Sequence, residues 1–270
     1  MDNIGKNYSD IGYTDTLARG SSPLHRLDPR AKLITTLLFI LTVVSFGKYT
    51  VSAFIPFFIY PVFLISVGGL PAGYFLRKAL LVLPFAVLVG IFNPMIDKEP
   101  IVYIGTMGIS GGWISLVSIF LRFLLTVTAA LLLLALTGFN AVCEALIKLG
   151  VPKLFVVQLL FFYRYLFVLI DEARRMERAR ALRSFHHGAM RYKTFISMIG
   201  QLLLRTFDRA ERIYHAMSCR GFDGHIRMIN SIKMGGKDVG FVAGWVSLFV
   251  IFRVYNLPVR LGEFVMGCLR

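Results

Sequence analysis

The pentad Gly108-Ile109-Ser110-Gly111-Gly112 fits Gly-x-Ser-x-Gly, a spacing that can present a serine hydroxyl on a strained turn. Such a serine needs a general base beside it. The five histidines (His25, His186, His187, His215 and His225) all lie in polar stretches, away from the apolar segment that holds Ser110. The pentad therefore reads as a glycine-rich turn ahead of an apolar helix. His215 and Cys219 stand four apart and could share a helix face, which metal sites use. Arginines at 209, 212 and 220 would repel a cation there, so packed or solvated side chains are expected. No Walker A sequence and no His-Glu-x-x-His occur. Cys143, Cys219 and Cys268 are scattered and odd in number, which indicates neither a disulfide framework nor a zinc knuckle. No catalytic residue, metal ligand or cofactor is expected.

Two short elements have another kind of chemistry. One is Ala181-Leu182-Arg183-Ser184-Phe185 and the other is Met217-Ser218-Cys219-Arg220-Gly221-Phe222. In each, an arginine sits at the end of a helical run, with a small residue and a phenylalanine beside it. A guanidinium fork makes bidentate bonds while a ring fills a pocket, a frequent interface combination. Plain capping of the helix C-terminus by a cation is the simpler alternative.

Long helices must position these elements. Asp171 to Arg183 contains no Gly or Pro, and its acids precede its arginines at i,i+3 and i,i+4. Ala173, Met176, Ala179, Leu182 and Phe185 recur every three residues, which gives one apolar face. The helix is expected to begin after Pro152 and to run tilted or interfacial before its charged half. A second helix is expected over about 192–218, with an apolar stripe through Ile196, Leu203, Phe207 and Tyr214. Gly221 and Gly224 then punctuate the chain.

The remainder is too greasy for water. Hydrophobic residues make up 56% of the 270 and charged residues only 17%, with mean hydropathy +0.68. A soluble domain has about 25% charged residues. The predicted class is an all-α polytopic membrane protein with about five transmembrane helices plus long cytoplasmic amphipathic helices. Charge-free runs place spans near 31–47, 51–69, 79–96, 112–138 and 238–256. Prolines 56, 61, 84 and 94 are tolerable there because neighbouring helices can satisfy freed backbone groups. Arg122 falls within a span and should face protein in a structural role.

The net charge of +15 is concentrated. Residues 171–238 hold 14 of the 30 Lys+Arg and 7 of the 15 Asp+Glu. Arg26, Arg30 and Lys32 precede the first span, Arg77 and Lys78 separate the second from the third, and Lys148 and Lys153 follow the fourth. By the positive-inside rule the N-terminus and the basic block are cytoplasmic in a multi-pass protein of the inner (plasma) membrane. Residues 1–30 contain no apolar core of a signal peptide.

The two arginine elements also resemble those of the transmembrane coupling (T) component of energy-coupling-factor transporters, a branch of the ATP-binding-cassette importers. Ser22-Pro23-Leu24-His25-Arg26-Leu27-Asp28-Pro29-Arg30-Ala31-Lys32-Leu33 resembles that family's N-terminal segment. Leu182-Arg183-Ser184 and Cys219-Arg220-Gly221 fall where the family carries two Ala-Arg-Gly motifs, and they depart from that form at Leu182, Ser184 and Cys219. Gly90-Ile91-Phe92-Asn93-Pro94 and Phe161 to Phe167 look most like the cobalt/nickel (CbiQ-type) group.

The resemblance implies a non-catalytic scaffold that couples ATP hydrolysis by partner chains to movement of a separate substrate-binding membrane subunit, for cobalt or nickel uptake. The implied partners are two cytoplasmic ATPases, that membrane subunit and an optional further small membrane subunit; no nucleic acid is among them. Arg183, Ser184, Arg220 and Gly221 would dock the ATPases, flanked by Leu182, Phe185, Cys219 and Phe222. The implied organisation is a cytoplasmic segment over 1–30, a four-helix membrane region over 31–138, a coupling-helix domain over 139–237, a last span over 238–256 and a tail over 257–270. The alternatives from the residues themselves are a self-sufficient permease and a membrane-anchored binder of anionic lipid or nucleic acid through the basic block.

Overall fold

The computed structural model describes residues 13–48, 50–93, 100–104, 107–183, 192–224 and 234–255. Asp28 starts the first long helix, α1 (Pro29–Val44). Its carboxylate accepts from the Arg30 amide at 2.8 Å, and Pro29 takes the first helical position, where no amide hydrogen is needed. A 3-10 segment over Ser52–Phe58 contains Pro56 and leads straight into α2 (Ile59–Gly68). Helix α3 (Ala72–Gly90) tolerates Pro84 in its interior. It also includes Arg77 and Lys78, which sequence reasoning had placed in a loop between spans.

An antiparallel hairpin follows, β1 (Pro100–Ile104) with β2 (Met107–Ser110), pairing Ile104 with Met107 and Pro100 with Ser110. It is the one departure from helix among the described elements, and the chain is an all-α membrane protein. The strand ends at Ser110, and α4 (Gly111–Thr137) begins at the next residue, where Gly111 and Gly112 are buried. The remaining helices are α5 (Phe139–Lys148), α6 (Lys153–Arg183), α7 (Tyr192–Cys219) and α8 (Gly236–Tyr255).

The chain divides into two compact units. Gly12–Ala145 with Ile232–Arg270 forms the larger, and Leu146–Ser231 forms the body of the smaller. In the larger unit α1 packs against α4 and α8, and α3 packs against α4. The core is aromatic: Phe39 stacks on Tyr60 at 4.6 Å, and Tyr60 meets Trp245 edge-on at 4.9 Å. The Tyr60 hydroxyl is satisfied by Thr36 Oγ1 at 2.8 Å, so its burial leaves no orphan polar group. Outward residues such as Leu81, Phe85 and Leu88 are exposed apolar groups on α3, the pattern of a surface made for lipid.

Helices α4 and α6 are each long and apolar enough to cross a membrane, with mean hydropathy reaching 2.5 and 1.8. The chain is an integral membrane protein. Two arginines close the far end of α1. Arg122 donates to the carbonyls of Phe46 (2.9 Å) and Gly47 (3.2 Å), and Arg253 donates to that of Ser45 (3.0 Å). Phe46 and Gly47 lie just past the helix, so the two guanidiniums pin the turn that follows its Ser45 cap. Arg122 is therefore structural, as its position in an apolar span led us to expect.

Candidate functional site

The smaller unit is built on α6 and α7. Helix α6 is continuous over Lys153–Arg183, running unbroken from its apolar first half into its charged second half. At 1.5 Å per residue it is roughly 46 Å long. Helix α7 runs over Tyr192–Cys219, within a residue of the expected 192–218. The two pair antiparallel. Phe161 of α6 meets Phe222, just past α7, at 6.1 Å, while Ala173 and Met176 line one hollow with Phe195 and Ile199. Glu172 and Arg205 form an ion pair across the pair. Between them lies an apolar cavity of about 340 Å³ lined by Phe161, Tyr165, Leu169, Ile213 and Met217. None of the α7 residues is fully buried, and Ile196, Leu203, Phe207 and Tyr214 are exposed.

Arg183 is the last residue of α6 and is exposed, and the Leu182 side chain beside it is 89% exposed. Ser184 and Phe185 lie outside the described residues. At the other element, Cys219 ends α7, Arg220 follows it, and both are exposed. Gly221 then takes a left-handed backbone, φ 71°. Its amide donates to the Ser218 carbonyl (3.0 Å), and the Phe222 amide donates to the Met217 carbonyl (3.1 Å). These two bonds are a Schellman motif, which satisfies the last carbonyls of the helix and needs glycine at that position. Phe222 folds back toward Phe161 and Met217, the apolar contact that accompanies such a cap. The turn thus holds Arg220 outward, while Phe222 leans on Phe161 and stays 37% exposed.

The two arginines lie at opposite ends of the α6–α7 pair. Arg220 is near the Phe161 level, and the helix from Phe161 to Arg183 spans roughly 33 Å. One binding pocket cannot take both.

Among the described residues, other candidate chemistry does not assemble. His25 Nε2 faces the Leu17 carbonyl (3.0 Å), and its Nδ1 faces Ser22 Oγ (2.7 Å). A carbonyl only accepts, so Nε2 carries the proton and Nδ1 accepts from the serine. His215 pairs with Glu211 at 3.9 Å, while His186, His187 and His225 lie outside the described residues. Among the described residues no three His, Cys, Asp or Glu are grouped to hold a metal. Burial pushes the Cys143 thiol up to about 11, which leaves it protonated and inert at neutral pH.

Sequence reasoning missed one cluster. Asp28, Lys32 and Asp238 are buried in the larger unit, where Asp238 Oδ1 accepts from the Asp28 amide and Lys32 Nζ reaches the Leu136 carbonyl. The usable signal was Asp28-Pro29, a helix cap followed by a proline at the first helical position.

Residues 20–230 match a family profile described as a cobalt transport protein, CbiQ. The chain belongs to the CbiQ family. The first two relatives below are matched along most of their length. An uncharacterized protein of Methanocaldococcus jannaschii is 27% identical over 90% of this chain and 86% of its own. The energy-coupling factor transporter transmembrane protein EcfT of Bacillus subtilis is 28% identical over 86% of this chain and 92% of its own. A putative fused cobalt transport protein, CbiMQ, of Methanocorpusculum labreanum is 32% identical over 33% of this chain and 15% of its own. The CbiQ match takes in both arginine elements and the Asp28–Lys32 segment.

Proposed function

We propose that this CbiQ-family chain is the transmembrane coupling component of an energy-coupling-factor importer. It is not itself an enzyme. Two cytoplasmic ATPases dock on the ends of α6 and α7, and a separate integral membrane subunit binds the substrate. The observation that supports this reading best is the placement of Arg183 and Arg220: both are exposed, at opposite ends of one helical pair, and roughly 33 Å apart along α6. That separation suits two partners taking one arginine each.

The chemistry follows from burying a guanidinium. An arginine inserted into a groove on an ATPase makes charge-assisted bonds there, and truncating it leaves the partner's group buried and unpaired, which costs about 2–5 kcal/mol. Closure and reopening of the ATPase dimer on ATP binding and hydrolysis then shift the ends of α6 and α7. The exposed stripe Ile196, Leu203, Phe207 and Tyr214 supplies apolar area against the substrate-binding subunit. The loosely filled α6–α7 pair leaves room for relative sliding. The CbiQ profile, described as a cobalt transport protein, favours cobalt as cargo, and the sequence resemblance adds nickel. In the inner membrane, the distribution of basic residues favours a cytoplasmic N-terminus and basic block, with five spans near α1, 52–68, α3, α4 and α8 and the apolar first half of α6 lying tilted at the membrane interface.

The test is uptake of labelled Co²⁺ and Ni²⁺ into proteoliposomes that carry the whole complex and internal ATP on the ATPase side. Arg183→Ala and Arg220→Ala are each expected to abolish uptake while the chain still inserts. Uptake by this chain alone, or wild-type uptake by the double variant, overturns the reading.

A further inference from the structure

The segment from Asp28 to Lys32 has no part in the docking scheme, yet it makes the most deeply buried charged contacts described in the larger unit. Asp28 is fully buried, Lys32 is 4% exposed and Asp238 is 6% exposed. Their bonds join three helix ends. Asp238 Oδ2 accepts from the Gly235 amide at 2.7 Å and so caps α8, its own helix. Its Oδ1 accepts from the Asp28 amide at 2.9 Å, the residue that caps α1. One carboxylate therefore ties the N-termini of α1 and α8 together.

Lys32 Nζ donates to the Leu136 carbonyl at 2.9 Å, at the C-terminal end of α4. The signs agree with the helix dipoles: two carboxylates stand at two helix N-termini and one ammonium at a C-terminus. The second Asp28 oxygen, Oδ2, is buried without a hydrogen-bond partner in the structure, while Arg30 Nε stands 4.0 Å from Oδ1.

The place of this cluster along the chain gives it meaning. The chain leaves the larger unit after Ala145 and returns to it at Ile232. Leu136 lies shortly before the departure, and Asp238 lies shortly after the return. The Asp28–Lys32 segment grips both. A buried charge cluster is a poor way to add stability, since apolar side chains of similar volume hold helices as well or better. What hydrogen-bonded charges add is fixed position, because their bonds are directional and short-ranged.

We propose that Asp28, Lys32 and Asp238 are positioning residues for coupling: they form a joint that fixes the α4 end and the α8 start to α1, so that displacement of the α6–α7 unit moves the larger unit instead of being absorbed where the chain crosses. This rests on the reading of the chain as a coupling component. Loss of the joint uncouples; it does not block ATPase docking, whose arginines lie in the other unit.

The whole complex is reconstituted with Lys32→Met, and ATP hydrolysis and Co²⁺ or Ni²⁺ uptake are measured in the same vesicles. ATPase retention and hydrolysis within about twofold of wild type, with uptake per ATP hydrolysed reduced at least about tenfold, is expected. An unchanged ratio, with both rates falling in step with the amount of assembled complex, overturns the joint and leaves a merely structural role. Should Lys32→Met fail to assemble, Lys32→Met with Asp238→Asn, which removes a charge of each sign, decides. A low uptake-to-ATP ratio in that assembled double variant supports the joint, and a wild-type ratio overturns it. A wild-type complex that retains no ATPase overturns the coupling reading and the joint together, whereas a working wild type with an unchanged variant ratio overturns the joint alone.

Discussion

The backbone amide of Phe222 donates to the carbonyl of Met217 at 3.1 Å, closing the end of α7 around Gly221. Because the glycine's φ is 71°, the chain reverses there, and Arg220 stands exposed on the turn while the Phe222 ring leans against Phe161. The arginine's presentation therefore depends on a residue that carries no functional group.

Gly221→Val should damage docking almost as much as loss of Arg220. A β-branched residue is a steric outlier in the left-handed region, so the cap opens and the arginine is re-aimed. Gly221→Asn, which tolerates that region, should retain most activity. ATPase co-purification with the two variants checks this, and equal retention by both would contradict it.

Among the many arginines of α6 and α7, only two should be indispensable. Arg175 and Arg178 are exposed on α6. Arg175→Ala and Arg178→Ala should each keep uptake within about twofold, since exposed ion pairs contribute at most about 1 kcal/mol. A binder of anionic lipid would instead lose affinity with each removed charge and show a steep salt dependence. Vesicle co-sedimentation over a salt series distinguishes the two.

Arg122→Met should destabilise without touching mechanism. It leaves the Phe46 carbonyl without its Arg122 donor, at a cost of about 1–3 kcal/mol, whereas the Gly47 carbonyl keeps Thr50 Oγ1. The unfolding midpoint in detergent should fall, while uptake per folded complex stays at the wild-type level. A selective loss of uptake would mark Arg122 as part of a transport path.

These outcomes separate what was legible in the sequence from what was not. Charge-free runs located α1, α4 and α8 because long apolar segments leave few other readings, but they caught only the part of α3 beyond Arg77 and Lys78. The α6 and α7 limits were legible for a local reason, the breaker pairs Val151-Pro152 and Gly221 with Gly224. The hairpin at 100–110 was not, since a short apolar run without polar alternation fits a strand or a span equally well. Asp28 and Asp238 are 210 residues apart, and no local pattern reports that contact. The bond between Arg253 and Ser45, 208 residues apart, was equally invisible to a local reading.

His25 gives a pH signature. Burial first, then the nearby Lys32 charge, hold its pKa below the usual 6.5, while the Leu17 bond partly opposes them. The folded state therefore binds fewer protons than the unfolded one, and stability rises with pH across that window. The contribution is complete above about pH 7 and is lost as pH falls through 6.5 toward the lower folded-state value. Unfolding midpoints of wild type and His25→Gln should diverge in their pH slope between about pH 7 and pH 5; parallel curves would contradict this.

The most direct measurement is native mass spectrometry of the detergent-extracted complex, counting ATPase subunits retained per chain. Two are expected with the wild type, fewer with Arg183→Ala or Arg220→Ala alone, and none with both substitutions. Retention of both ATPases by the double variant would contradict docking through these arginines.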